Sequence, residues 1–194
     1  MENIETLEEI IKTRRTVKAT KMNGERIPQE QVMKLLELAG RAPNHGKTEP
    51  WRFWVYEGEA LNRFGEKHAE WYWQHTPENK RKEAKAEKLK KYAQGASHLI
   101  VAVMKRTEKT KIPRFEEMAA VSAAIEHILL GATAMGLASF WNTGGMTGHQ
   151  VLKDYLDLKE EDMVMGLLYL GYSDKLKPRK ERKISLKDKI HWMD

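Results

Sequence analysis

Cysteine is absent from the 194 residues. That excludes disulfide staples and thiolate-ligated zinc or iron–sulfur centres, and it suits a reducing, cytoplasmic setting. Six prolines and thirteen glycines are too few for a low-complexity or collagen-like chain. The acidic start Met1-Glu2-Asn3-Ile4-Glu5 lacks the basic and then apolar stretch of a secretory leader. No apolar run is long enough for a bilayer. The stretch Ile128 to Trp141 is interrupted by Gly131, Thr133, Gly136 and Ser139, and falls short of the roughly 20 residues a span needs. There is no G-x-G-x-x-G after a strand, no Walker loop, no G-x-S-x-G and no H-E-x-x-H, so the usual dinucleotide, nucleotide, serine-hydrolase and zinc-protease signatures are all missing. His68, His75, His98, His127, His149 and His191 are scattered without a neighbouring nucleophile, and no metal site is expected.

What is present describes a soluble globular protein, with 41% hydrophobic and 32% charged residues. The net charge of +6 favours anionic ligands without naming one. A chain of this length suits a single domain over 1–194 that hides roughly 70% of its unfolded surface.

Apolar periodicity places the elements. Ile4, Leu7, Ile10 and Ile11 recur at helical spacing and predict a short amphipathic helix ending near Arg14. Pro28 opens a second helix that buries Val32, Leu35, Leu36 and Ala39 and stops before Pro43. Trp51 to Tyr56 reads as a strand, and Glu59 to Tyr92 as charged helix. Within the latter, Glu78 and Glu87 stand four residues ahead of Lys82 and Lys91. Leu99 to Met104 is a buried central strand, and Phe115 to Met135 the longest and least polar helix, smoothed by Ala119, Ala120, Ala123 and Ala124 into either a domain centre or a dimer seam. A strand Ala138–Asn142, a short helix Val151–Leu158 and a strand Val164–Gly171 complete an α+β domain.

Three clusters carry the chemistry. Arg14-Arg15-Thr16-Val17-Lys18 offers guanidinium forks matched to phosphate oxygens; the same cations equally suit the negative end of the preceding helix. Arg41-Ala42-Pro43-Asn44-His45-Gly46-Lys47-Thr48-Glu49-Pro50 is a polar, proline-bounded loop running straight into an aromatic strand, either a ligand loop or a surface loop whose histidine caps a neighbour. Trp141-Asn142-Thr143-Gly144-Gly145 ends a strand in small residues whose backbone N–H groups are open to a ligand, or is a plain turn.

In this order and spacing the clusters resemble the FMN-dependent nitroreductase family, in the branch of small NAD(P)H nitroreductases whose loop reads R-A-P-[DN]-H ahead of P-W. The resemblance also takes in G-L-A-S-F-W-N-T-G and the strand G-L-L-Y-L-G-Y, and spans about 170 residues. It implies a nitroreductase-like fold, a mixed or antiparallel sheet flanked by helices, in an interwoven homodimer with the tail 173–194 on the partner. It further implies that Arg14, Arg15, Thr16 and Lys18 hold the phosphate and ribityl end of FMN. Arg41, His45 and Lys47 would approach from the partner, Asn44 of the same loop would also bind the cofactor, and Trp141, Asn142, Thr143 and Gly144 would lie along the flavin ring. From the tail, Arg182, backed by Lys180, would reach the phosphate. The implied reaction passes hydride from NADH or NADPH through the flavin to a nitroaromatic, quinone or similar oxidant, with no side chain required as acid or base. The family's common S-S-x-N-x-Q before P-W is replaced here by Asn44 to Glu49, and its frequent acidic residue near the flavin nitrogen by Thr143. Two other readings stay open: a basic nucleic-acid binder using Lys80–Lys91 and the Lys177–Lys183 tail, and a flavin protein with a specialised activity.

Overall fold

The computed structural model describes residues 2–174 and 182–193. The element order is α1 (Glu2–Thr13), α2 (Gln29–Ala39), β1 (Trp51–Glu57), α3 (Gly58–His75), α4 (Glu83–Gly95), β2 (His98–Met104), α5 (Arg114–Ala134), β3 (Ala138–Asn142), α6 (Gln150–Tyr155) and β4 (Met163–Gly171). The four strands form one sheet in the order β1-β2-β4-β3, with every neighbouring pair antiparallel.

Side-chain alternation explains why β2 is central. Leu99, Val101 and Val103 enter one apolar cluster, while Ile100, Ala102 and Met104 enter the other. A strand apolar on both faces is stable only when both are covered. α3, α4 and α6 supply Phe64, Leu89 and Leu152 to the first cluster. α2 and α5 supply Val32, Leu35, Val121, Ile125 and Ile128 to the second. α2 packs tightly on α5 at Gly131, where a Cβ would come within 2.8 Å of both Leu35 and Leu38.

Two expectations are corrected in detail. The charged helix expected from Glu59 to Tyr92 is two helices, because Pro77 lies in the break between α3 and α4. Glu78 therefore precedes α4 and pairs with Arg81 rather than Lys82, and Glu87 reaches Lys90 at three residues rather than Lys91 at four. Lys90 is also bound to Glu66 on α3, so part of the basic run forms an ion-paired face between two helices.

The edge strand β3 is not bare. The chain leaving α1 runs parallel beside it, with Thr16 bridged to Ser139 and the Val17 N–H donating to the Ser139 carbonyl at 2.9 Å. α1 itself lies against α5 but buries no residue, and Ile4, Leu7 and Ile11 remain exposed. Along 182–193 every residue is exposed, Leu186 and Trp192 among them. No helix among the described residues is long and apolar enough to cross a membrane.

Candidate functional site

The parallel bridge between Thr16 and Ser139 brings the first and third sequence clusters together at one edge of the sheet. Arg14 points toward α5, its Nε 3.6 Å from the Glu126 carboxylate. Arg15 turns one nitrogen back on the end of α1, where Nη1 donates to the carbonyls of Lys12 at 2.7 Å and Arg14 at 2.6 Å. The helix-end role is thus real for Arg15, and it uses only part of that side chain: its Nε is buried without a hydrogen-bond partner. Thr16 and Lys18 are exposed.

Across the bridge, Asn142 accepts the Gly144 N–H on Oδ1 at 3.2 Å, while its Nδ2 is buried and unpartnered. Thr143 and Gly144 are exposed. The turn beyond is firmly held. The Thr147 hydroxyl donates to the Gly144 carbonyl at 2.6 Å, and the Met146 N–H donates to His68 Nε2 at 2.9 Å.

Trp141 has a fixed structural partner. A β-bulge interrupts the β2–β4 register between Ala102 and Val103, so that Ala102 opposes Gly166 and Val103 opposes Val164. Met165 is the extra residue, and its carbonyl accepts the indole N–H at 3.0 Å. The indole lies over Gly166, where any Cβ would come within 2.1 Å of Trp141 Nε1. The Trp141 side chain is therefore held by β4, and sequence spacing carries no sign of this.

The second cluster lies elsewhere. His45 Nδ1 is 2.6 Å from Glu116 Oε2 in the first turn of α5. Glu116 was not among the sequence candidates; only its place in the fold reveals it. Asn44 Oδ1 accepts the Glu49 N–H at 3.1 Å, and Gly46, Lys47 and Glu49 all adopt positive φ, of 60°, 53° and 42°. Left-handed geometry at two non-glycine residues is costly backbone, of the kind that clusters at functional loops. Arg41 and Lys47 are exposed. Glu116, beside His45, and Glu126, beside Arg14, stand about ten residues apart on α5, roughly 15 Å along its axis. Within one chain the His45 loop thus sits at the start of α5, while Arg14 reaches the middle of the same helix.

Arg182 and Lys183 are exposed, while Lys177 and Lys180 lie outside the described residues. No cluster of three or more potential metal ligands occurs among the described residues.

The sequence profile of the Nitroreductase family matches residues 11–172. YdjA of Escherichia coli (strain K12), named provisionally as an NAD(P)H nitroreductase, is 30% identical over 142 residues, 73% of this chain and 75% of YdjA. Among solved structures, the nitroreductase-like family protein from Bacillus cereus has a TM-score of 0.83 at 24% identity, covering 97% of this chain and 96% of that one. The FMN-dependent nitroreductase NfnB from Mycobacterium smegmatis, solved in complex with NADPH, has a TM-score of 0.76 at 17% identity, covering 99% of this chain and 100% of that one. With most of its length matched by the family profile and its fold shared with these proteins, the chain belongs to the nitroreductase family.

Proposed function

We propose that this protein is an FMN-dependent oxidoreductase that takes hydride from NAD(P)H and delivers it to a nitroaromatic, quinone or similar oxidant. The observation that carries the reading is the Thr16–Ser139 bridge, which lays the Arg14–Lys18 stretch alongside β3 near its start, with the exposed Thr143 and Gly144 just beyond the end of the same strand. The residues present fit a flavin mononucleotide: Arg15 Nε and Asn142 Nδ2 are buried donors that lack acceptors within the protein. When bound, FMN supplies a two-electron carrier that accepts hydride from one substrate and passes it to the next, so the two substrates take turns at one site.

The chain's own part is positioning. Arg15 and Lys18 would hold the phosphate with Thr16 beside them, and Arg14, paired loosely with Glu126, would add its charge; a phosphate carries about two negative charges, which guanidinium forks match bidentately. Asn142, Thr143 and Gly144 line the ring end. With FMN bound, the backbone N–H of Thr143 would be the group placed to stabilise negative charge on the reduced ring, that of Gly144 being held by Asn142 Oδ1. The exposure of Thr143 and Gly144 leaves room for a nicotinamide or an acceptor to stack.

Completion of the site requires a second copy. Phe115 and Ala119 are exposed on the first turns of α5 at four-residue spacing, beside Glu116, which holds His45, and N-terminal to Glu126, which meets Arg14 at the middle of the helix. Two such helices crossing antiparallel about a two-fold axis would bring the His45 loop of each copy toward the Arg14 contact on the other. Arg41, Asn44, His45 and Lys47 then enter from the partner, and the exposed tail with Arg182 packs on it. Cytoplasmic residence accords with the absence of cysteine. The reading of Lys80–Lys91 as a nucleic-acid footprint is not favoured, since Lys90 is already paired with Glu66 and Glu87.

Purified wild-type protein is expected to be yellow, or to turn yellow on soaking with FMN, and to oxidise NADH or NADPH in the presence of a quinone. The Arg15→Ala variant should keep its circular dichroism and bind FMN roughly 10- to 100-fold more weakly, the size of a lost charge-assisted contact. A colourless wild type that ignores added FMN refutes the proposal.

A further inference from the structure

We infer that His68 is a positioning residue for the flavin ring, acting through the turn that follows β3. This rests on the flavin reading above. His68 sits on α3, remote in sequence from all three clusters, and its side chain is fully buried. Its Nε2 accepts the Met146 N–H at 2.9 Å. Accepting there requires a neutral ring with its proton on Nδ1, and Nδ1 is buried without any partner. A histidine retained in the core with one nitrogen unsatisfied performs little for packing that an apolar side chain would not. What it uniquely provides is an acceptor at Nε2.

That acceptor fixes the turn. Gly145 adopts φ of 70° directly over the imidazole, and a Cβ there would lie 2.5 Å from Nε2, 2.8 Å from Cε1 and 3.2 Å from Leu89 Cδ2. The backbone of 144–146 is thereby pressed onto the ring and tied to it through Met146. Thr147 ties the Gly144 carbonyl from the far side, and Asn142 ties the Gly144 N–H. His68 is therefore the floor on which the Thr143–Gly144 backbone rests, and it sets where those groups stand relative to the flavin ring. A displacement of about 1 Å in such a support is enough to spoil a site whose chemistry depends on alignment.

The test uses the full-length protein titrated with FMN, with the midpoint potential of the bound flavin as a second readout. His68→Leu removes the acceptor and keeps the bulk. His68→Gln restores an oxygen near the Nε2 position. Gly145→Ala leaves His68 in place and pushes the turn off it. FMN affinity is expected to fall tenfold or more in His68→Leu and in Gly145→Ala. In His68→Gln it should stay within threefold of wild type. The potential should move negative in His68→Leu at saturating FMN and return toward wild type in His68→Gln. Wild-type affinity and potential in His68→Leu, or equal losses in the Leu and Gln variants, would overturn the inference. Should His68→Leu fail to fold, unchanged FMN binding by Gly145→Ala overturns it equally. A wild type that binds no FMN at all defeats the flavin reading first, and this inference with it.

Discussion

Gly166 and Trp141 show how a single missing side chain shapes this edge of the sheet. The bulge at Met165 frees a carbonyl for the indole N–H, and the bare Cα of Gly166 makes room for the ring. Gly166→Ala is expected to destabilise the fold by about 1–3 kcal/mol, as overpacking does, with β3 and the residues after it displaced. Chemical denaturation checks the first effect, and FMN titration the second. His68 gives a pH signature of its own. Burial, with Lys85 adding, pushes its pKa down to about 4. Its unfolded value is near 6.5, so between those limits the unfolded chain binds the extra proton and stability declines as pH falls. The loss should reach about 2 kcal/mol at pH 5 and approach about 3 kcal/mol below pH 4. Buried His98, also lowered chiefly by burial, works in the same direction. In urea titrations His68→Gln should therefore show a shallower decline than wild type between pH 6.5 and pH 5; identical slopes would mean that His68 does not titrate in this way.

Among the elements, those that bury both faces were the most legible in the sequence. The run Leu99 to Met104 is unbroken because alternate residues serve two clusters, and it could be placed without knowing its neighbours. Less legible was the loop between β2 and α5, whose order comes from buried charge. Glu117, 1% exposed, holds Arg106 in an ion pair and accepts the Thr107 N–H at 3.3 Å, while Arg106 Nη2 donates to the Ile112 carbonyl at 2.8 Å. Asp162 accepts the Arg106 N–H at 2.9 Å from the other side. No local pattern announces a pairing of this kind, because a carboxylate inside an apolar helix is read as an outward-facing residue until its partner is known. Ile112 in turn braces Gly46 in the His45 loop. Glu117→Ala strands a half-buried guanidinium and should cost about 3–5 kcal/mol. Differential scanning calorimetry would measure this. Hydrogen exchange should show the 105–113 and 44–49 loops opening together, and independent opening of the two would break the proposed link.

For the molecule as a whole, sequence spacing could not show that Arg14–Lys18 and Trp141–Gly144 are neighbours, since they lie far apart in the chain and meet only through the Thr16–Ser139 bridge. The family resemblance supplied that adjacency, and the fold explains it. The same scale decides whether one chain suffices. α1 is amphipathic yet has no buried residue in the protomer, with Ile4, Leu7 and Ile11 at 62, 45 and 53% exposure. Each such side chain gains about 1.5–3 kcal/mol when fully buried, so a surface of this kind favours association. The double variant Leu7→Asp/Ile11→Asp should be monomeric by light scattering at micromolar concentration while keeping its secondary structure, because α1 contributes nothing to the protomer core. FMN should be lost along with the proposed dimer, since in one chain the His45 loop and Arg14 meet α5 about ten residues apart, roughly 15 Å along its axis. A monomer that retains its full complement of flavin would place the whole site within one chain, and a variant that remains dimeric would remove α1 from the interface.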